Sequence, residues 1–265
     1  MKLYIKAISS YRSDKDESNL KQVLKQQYKV DVRRKDDFIY AGLYGALRLQ
    51  EKVSIERDNE LYLTSGFGNL NILAKMHKYM IENKEPIKLF DFINMLGNTT
   101  SFYVASMLGI KAKTLFQISD NFTFFHTLIM IYASLQKSKN EAILGTIDIV
   151  SENEEVLKRI AGIEEKTSLV SAVHYQKISL NPKDALCVLE FDTKFYTLEE
   201  VKKIIENTNL HVRFSSRCQA LHKEGKPYFE TDVVEVIYNA IQNNEQTLYV
   251  ECYGQRYKLL YQFQL

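Results

Sequence analysis

Apolar positions recur along the chain at two periods, and the alternation of those periods outlines its elements. Short apolar runs at 1–7, 61–64, 114–118, 142–147 and 185–191 are too brief for helices and read as strands, with a weaker one at 211–214. Leu20, Val23 and Leu24 share one face of a helix expected over 18–27, with Asp16 or Ser18 as its cap. Phe38, Ala41, Leu43, Ala46 and Leu47 mark a stronger helix over 36–51, whose Gly42 and Gly45 suggest close packing against another backbone. Further helices are expected over 72–83, 89–108, 121–137, 152–163, 198–207 and 232–243. The helix at 198–207 opens on Thr197-Leu-Glu-Glu200, which has the form of a capping box. The chain closes in a hairpin, 248–252 and 257–263, around Tyr253-Gly254-Gln255. Strands alternating with helices predict an α/β fold with a largely parallel sheet. With three prolines, no Ser/Gly-rich linker and no repeat, the pattern predicts one continuous domain.

Composition narrows the function classes. In 265 residues, 45% apolar and 26% charged side chains are ordinary for a globular protein with ample core. A net charge of +2, with no basic block beyond Arg33-Arg34-Lys35, builds no phosphate-neutralising stripe, so nucleic acid is not an expected partner. The longest apolar tract, 122–135, is interrupted by Thr123, His126, Thr127 and Ser134 and is too short to cross a bilayer. The N-terminus has no sustained apolar region of the secretory kind, which points to the cytoplasm. Cys187, Cys218 and Cys252 have no CxxC spacing and are expected as reduced, buried thiols. His77, His126, His174, His211 and His222 never fall at metal-ligand spacing, and no cofactor or metal is expected. Ser65-Gly66-Phe67-Gly68-Asn69 follows a strand without GxGxxG or GKS/T, so it reads as a turn rather than a phosphate cradle.

The candidate chemistry lies in FQISDNFTFF, residues 116–125. A strand that breaks into Ser119-Asp120-Asn121 and enters a buried helix has the layout of a nucleophile elbow. Asp120 and Asn121 also suit a helix N-cap. Phe122, Phe124 and Phe125 read as core or as lining of an apolar tunnel. His126 reads as a core histidine, and Asn98 as a buried, hydrogen-bonded amide or an interface residue.

Phe92-Ile-Asn-Met-Leu-Gly-Asn98 followed by Ala105-Ser-Met-Leu-Gly109-Ile resembles a block of the β-ketoacyl synthases. The elbow comes about ten residues later, and a strand ending in Gly145-Thr-Ile-Asp148 follows the buried helix, in the family's order. The helix with Arg33, Arg34, Phe38, Ala41 and Ala46 and the terminal turn Tyr253-Gly254 fit the same scheme. The resemblance implies a thiolase-like fold of two similar halves: a complete first half over 1–192, with strands starting at Met1, Leu61, Thr114, Ala142 and Ala185, and an abbreviated second half over 193–265. It also places the family's nucleophilic cysteine at Asn121, which has no ionisable proton and cannot form a thioester. No segment matches the family's HGTGT-like motif: His211 and His222 lie in unlike surroundings and His174 comes too early.

Short chains with such a degenerate site resemble the chain-length-factor-like subunits of aryl polyene and flexirubin-type biosynthesis. That resemblance implies a heterodimer with a complete β-ketoacyl synthase, contact with acyl carrier protein, and a homodimer when the chain is alone. Phe116, Asn98, Phe122 and Phe125 are the acyl-tunnel or interface candidates. Two other readings stay open: a malonyl-thioester decarboxylase using Asn121 and backbone donors, and a self-associating homolog without chemistry.

Overall fold

The computed structural model describes residues 1–16, 19–119, 122–150, 154–155, 158, 169–215, 217–218 and 232–265. Its elements are β1 (Lys2–Arg12), α1 (Leu20–Gln26), α2 (Asp37–Gln50), β2 (Glu60–Ser65), α3 (Leu70–His77), α4 (Leu89–Met95), α5 (Gly97–Leu108), β3 (Thr114–Ile118) and α6 (Thr123–Ser138). There follow β4 (Ala142–Asp148), β5 (Ala172–Ser179), β6 (Cys187–Phe191), α7 (Leu198–Glu206), β7 (His211–Phe214), α8 (Asp232–Asn243), β8 (Thr247–Tyr253) and β9 (Arg256–Gln264).

The strands form a nine-stranded sheet in the order β3-β2-β4-β5-β1-β6-β9-β8-β7. Its connectivity repeats. In the first half β2 runs parallel to β4, β4 antiparallel to β5, and β5 antiparallel to β1. In the second, β7 runs parallel to β8, β8 antiparallel to β9, and β9 antiparallel to β6. The halves join where β1 meets β6 antiparallel, so a pseudo-twofold relates β1, β2, β4 and β5 to β6, β7, β8 and β9. Among the described residues, β3 has no counterpart in the second half. The sheet is thus mixed rather than largely parallel. Each half closes with an antiparallel return strand that the short runs alone do not orient.

Three apolar clusters show how the sheet is covered. On one face of the first half, α1, α2 and α5 pack on Ala7, Tyr11, Leu61, Leu63, Ile143, Val173 and Tyr175. On the same face of the second half, α7 packs on Leu248, Val250, Tyr257 and Leu259. The other face carries a single cluster, in which α6 and α8 meet Leu3, Ile5, Tyr62 and Leu144 of the first half and Tyr249 and Leu260 of the second. Strand alternation makes this sorting automatic: Tyr249 and Leu260 face the inner helices while their neighbours face outward.

Several expectations change. The cap of α1 is Asn19, whose side chain accepts from the Gln22 N–H, while Asp16 turns back to accept from Arg12 N; Ser18 lies outside the described residues. The apolar stretch 89–108 is two helices, because Leu96 takes extended dihedrals between α4 and α5. The first half's fifth strand is β5, not the run at 185–191, which opens the second half as β6. β5 shows no continuous apolar run, because His174, Gln176 and Lys177 interrupt a strand that is nonetheless buried along its whole length. Of the polar helix expected over 152–163, Glu154, Glu155 and Lys158 are helical and the rest lies outside the described residues. The capping box is present, with Thr197 and Glu200 satisfying each other's backbone N–H. The close approach expected at α2 is made to side chains rather than to another backbone: a Cβ on Gly45 would lie 2.6 Å from Val173 Cγ1.

Candidate functional site

β3 ends at Ile118, and Ser119 then binds the first residue of α6 through several contacts. Its hydroxyl lies 3.0 Å from Thr123 Oγ1, and that hydroxyl donates to Ser119 O at 3.0 Å. One turn on, Thr127 Oγ1 lies 3.1 Å from Gln117 Oε1, so the strand end and helix start are laced by small hydroxyls. Asn121, the candidate nucleophile position, and its neighbour Asp120 lie outside the described residues. The N-cap of α6 is Phe122, in the left-handed region (φ 52°, ψ 27°) and with no side-chain cap. A bulky residue at positive φ costs on the order of 1 kcal/mol and persists where the surroundings dictate it. Phe122 and Phe125 are fully buried in the inner cluster, with rings 6.5 Å apart and edge-on.

The second half meets this elbow through an aromatic and two cations. Phe195, in the loop after β6, sets its ring 5.5 Å from that of Phe122. Lys258 Nζ stands 4.4 Å and Arg256 5.5 Å from the Phe195 ring centre. Lys258 is buried on the inner face of β9, and its ammonium also reaches Asp192 O at 3.4 Å. Burial lowers its pKa, as it does for half-buried His126, where the Lys258 charge adds to the effect. His126 is therefore held toward its neutral form, its ring 6.5 Å from Phe122. The pseudo-twofold repeats this docking at the other end: Glu235, in the first turn of α8, pairs with Arg12 at the end of β1.

The sequence candidates divide across the sheet. Phe122 and Phe125 come together on the inner face, whereas Phe116 turns to the outer cluster, edge-on to Phe38 at 6.1 Å and beneath Gly97. Asn98, expected as a buried amide, is exposed at the start of α5. The buried amide is Asn94, whose Nδ2 donates to Arg34 O at 3.1 Å. The Ser65–Asn69 turn satisfies its own donors: Gly66 N gives to Asp148 Oδ1 at 2.8 Å and Gly68 N to Ser65 Oγ at 2.8 Å, leaving those groups engaged within the protein. An open groove of about 900 Å³ lies away from the elbow, at the start of α2 and along α3. Its cations Arg34, Lys35, Lys75 and Lys78 are matched in number by Asp36, Asp37, Glu82 and Asp91, and Lys75 pairs with Asp91, so its charge is largely self-compensated.

Phe195, Arg256 and Lys258 were missed in the sequence because more than seventy residues separate them from the elbow. The signal available was periodicity: in Arg256–Gln264, Lys258 and Gln262 share a face with core Leu260. No cysteine supplies a thiol here. Cys218 and Cys252 face the outer cluster, and Cys187 pairs with Gln264, six residues (about 20 Å of strand) from Lys258. Among the described residues, no group of three or more His, Cys, Asp or Glu side chains could hold a metal, and no helix is long and apolar enough to cross a membrane.

No family model and no curated protein sequence matches the chain. Solved structures do match over its length. One, the ishigamide ketosynthase/chain length factor, superposes with a TM-score of 0.71 at 9% identity, covering 100% of this chain and 99% of the other. A second, the ketosynthase ApeO in complex with its chain length factor ApeC from Xenorhabdus doucetiae, gives 0.64 at 8% identity over 98% and 99% of the two chains. A third, OleA from Xanthomonas campestris, gives 0.57 at 10% identity over 99% and 98%. The repeated connectivity about β1 and β6, the elbow entering α6 and these superpositions agree: the chain has the thiolase-type fold of the ketosynthases and chain length factors, with five strands in its first half and, among the described residues, four in its second.

Proposed function

We propose that this chain is a chain-length-factor-like subunit, without condensing chemistry of its own, that pairs with a complete β-ketoacyl synthase in the cytoplasm. One observation carries the reading. β3 is an edge strand, half-buried at best. Leu61 N donates to Lys113 O, a register that turns the N–H and C=O groups of Thr114, Phe116 and Ile118 away from β2. Eight of the thirteen exposed large hydrophobics of the described residues lie between Leu73 and Ile118, among them Phe92, Leu96 and Phe102. An apolar edge so placed is a template for another chain. The solved relatives include a ketosynthase in complex with its chain length factor, which supports a ketosynthase as the occupant.

The absence of a thiol at Asn121 and of the family's histidine motifs supports the non-catalytic side of the reading. Phe122 and Phe125 then act by shape, limiting the apolar space open to a growing acyl or polyene chain, while Phe116, half-buried on the opposite face of edge strand β3, and exposed Asn98 belong to the interface. Co-expression with a complete β-ketoacyl synthase from the same organism tests the proposal. The expected result is a 1:1 complex by light scattering, condensing activity that requires both chains, and an isolated chain with no malonyl-thioester turnover. Asn121→Cys alone should also fail to condense, because a thiol without histidine partners lacks the electrostatic help of the complete site. Turnover by the isolated chain, or two chains that never associate, would overturn the reading.

A further inference from the structure

Cys218 and Cys252 lie far apart in sequence but against each other in the outer cluster of the second half. Ser215, next after β7, donates its N–H to Val250 O at 2.9 Å, and Cys218 N closes a turn on Ser215 O at 3.0 Å. That turn lies over β8. Cys218 Sγ donates to Val250 O at 3.3 Å, and Cys252 Sγ, two residues along the same strand face, donates to Arg217 O at 3.0 Å. The Arg217 carbonyl that accepts from Cys252 belongs to the peptide leading into Cys218, and the Val250 carbonyl that accepts from Cys218 lies two residues before Cys252, so the two thiols neighbour each other across the turn. Both are free. We propose that Cys218 and Cys252 are a redox site, a dithiol poised to close into a reversible disulfide between the turn after β7 and the end of β8.

The two sulfurs differ in the way the reaction needs. Cys252 is the more exposed, at 6% against 1%. Its pKa is lowered, first by the neighbouring Cys218 and then by the nearby Arg217 charge, while burial and Glu251 oppose this. Cys218 is pushed strongly upward by the neighbouring Cys252 and by burial. With hydrogen peroxide as oxidant, the Cys252 thiolate attacks one peroxide oxygen. The S–O bond forms, the O–O bond breaks, and hydroxide leaves and takes up a proton as water. Cys218 then attacks the sulfenic sulfur: the S–S bond forms and the S–O bond breaks. A second water leaves with the Cys218 proton. Two thiols lose two electrons and one peroxide becomes two waters. Cys187, buried in the inner cluster with its pKa pushed up to about 12, stands as an internal control.

The test is peroxide treatment of the full-length protein, alkylation under denaturing conditions, and peptide mapping without reductant. The expected result is a Cys218–Cys252 cross-linked peptide, an intact mass lower by about 2 Da, and alkylated Cys187, all reversed by a phosphine reductant. The disulfide closes a loop of about 35 residues, so the oxidised form should melt about 5 °C higher. The cross-link should persist in Cys187→Ser and vanish in Cys218→Ser. Wild-type protein in which both cysteines are recovered singly modified, or in which the bridge involves Cys187, would overturn the proposal.

Discussion

Buried polar side chains set the sharpest demands on single residues. His174 on β5 is fully buried, and neither ring nitrogen has a hydrogen-bond partner among the described residues. Burial and the nearby Arg12 charge hold its pKa down to about 3. The unfolded chain takes up this proton near pH 6.5, whereas the native protein refuses it until about pH 3. Within that window the unfolded state binds more protons, so stability falls as pH drops. The full loss is on the order of 5 kcal/mol, and above pH 6.5 the group contributes nothing. His174→Leu should therefore match or exceed the parent at pH 7, where no hydrogen bond is lost, and be much less acid-sensitive between pH 6.5 and 4. Urea titrations across that range decide it: parallel pH dependence in parent and variant would show that His174 is not the sensitive group.

At the scale of elements, α6 and α2 show why neither a charge nor a methyl can be added freely. Leu128 is fully buried in the cluster shared by both halves, so Leu128→Asp places an unpaired carboxylate where the two halves pack together. Loss of soluble, cooperatively unfolding protein is expected. A variant as soluble and cooperative as the parent would place α6 elsewhere. On α2, Gly45→Ala improves helix propensity by about 1 kcal/mol. Yet the new methyl would sit 2.6 Å from Val173 Cγ1 and 2.7 Å from the Tyr175 ring, both in the core. Overpacking of this kind costs about 1–3 kcal/mol, so a net loss of roughly 1 kcal/mol is expected from chemical denaturation.

At the scale of the whole molecule, the pseudo-twofold uses β1 and β6 to seal the centre of the sheet and leaves β3 and β7 as its ends. The β3 end carries exposed Ile118, and α5, which packs on β3, carries exposed Phe102, so association should run through it. Thr114→Pro removes an N–H that points away from β2, at an exposed strand start where proline is tolerated. Phe102→Asp places a charge at an exposed aromatic of α5. Both variants should lower the affinity for a partner chain at least tenfold while leaving the melting temperature within about 2 °C, because neither changes a buried contact of this chain. Light scattering and calorimetry separate the two effects. Unchanged association in both variants would move the interface off this edge.

Local chemistry determined much of this protein. The apolar period of α2, the Thr197–Glu200 capping box, the terminal hairpin around Gly254, the β3–α6 elbow and the order that resembles a ketosynthase all follow from interactions within a few turns of chain. β5 was hidden because His174, Gln176 and Lys177 are buried by strands and helices distant in sequence, and burial, not local propensity, makes that strand. The split at Leu96 and the exposure of Asn98 likewise follow from how α4 and α5 dock. Which residues meet was decided by tertiary structure alone. Folding the sheet about the β1–β6 pair brings Phe195, Arg256 and Lys258 to the elbow at Phe122 and lays Cys218 against Cys252. These contacts cross 34 to 136 residues of chain, and no local pattern encodes them, because their free energy comes from burying both partners at once.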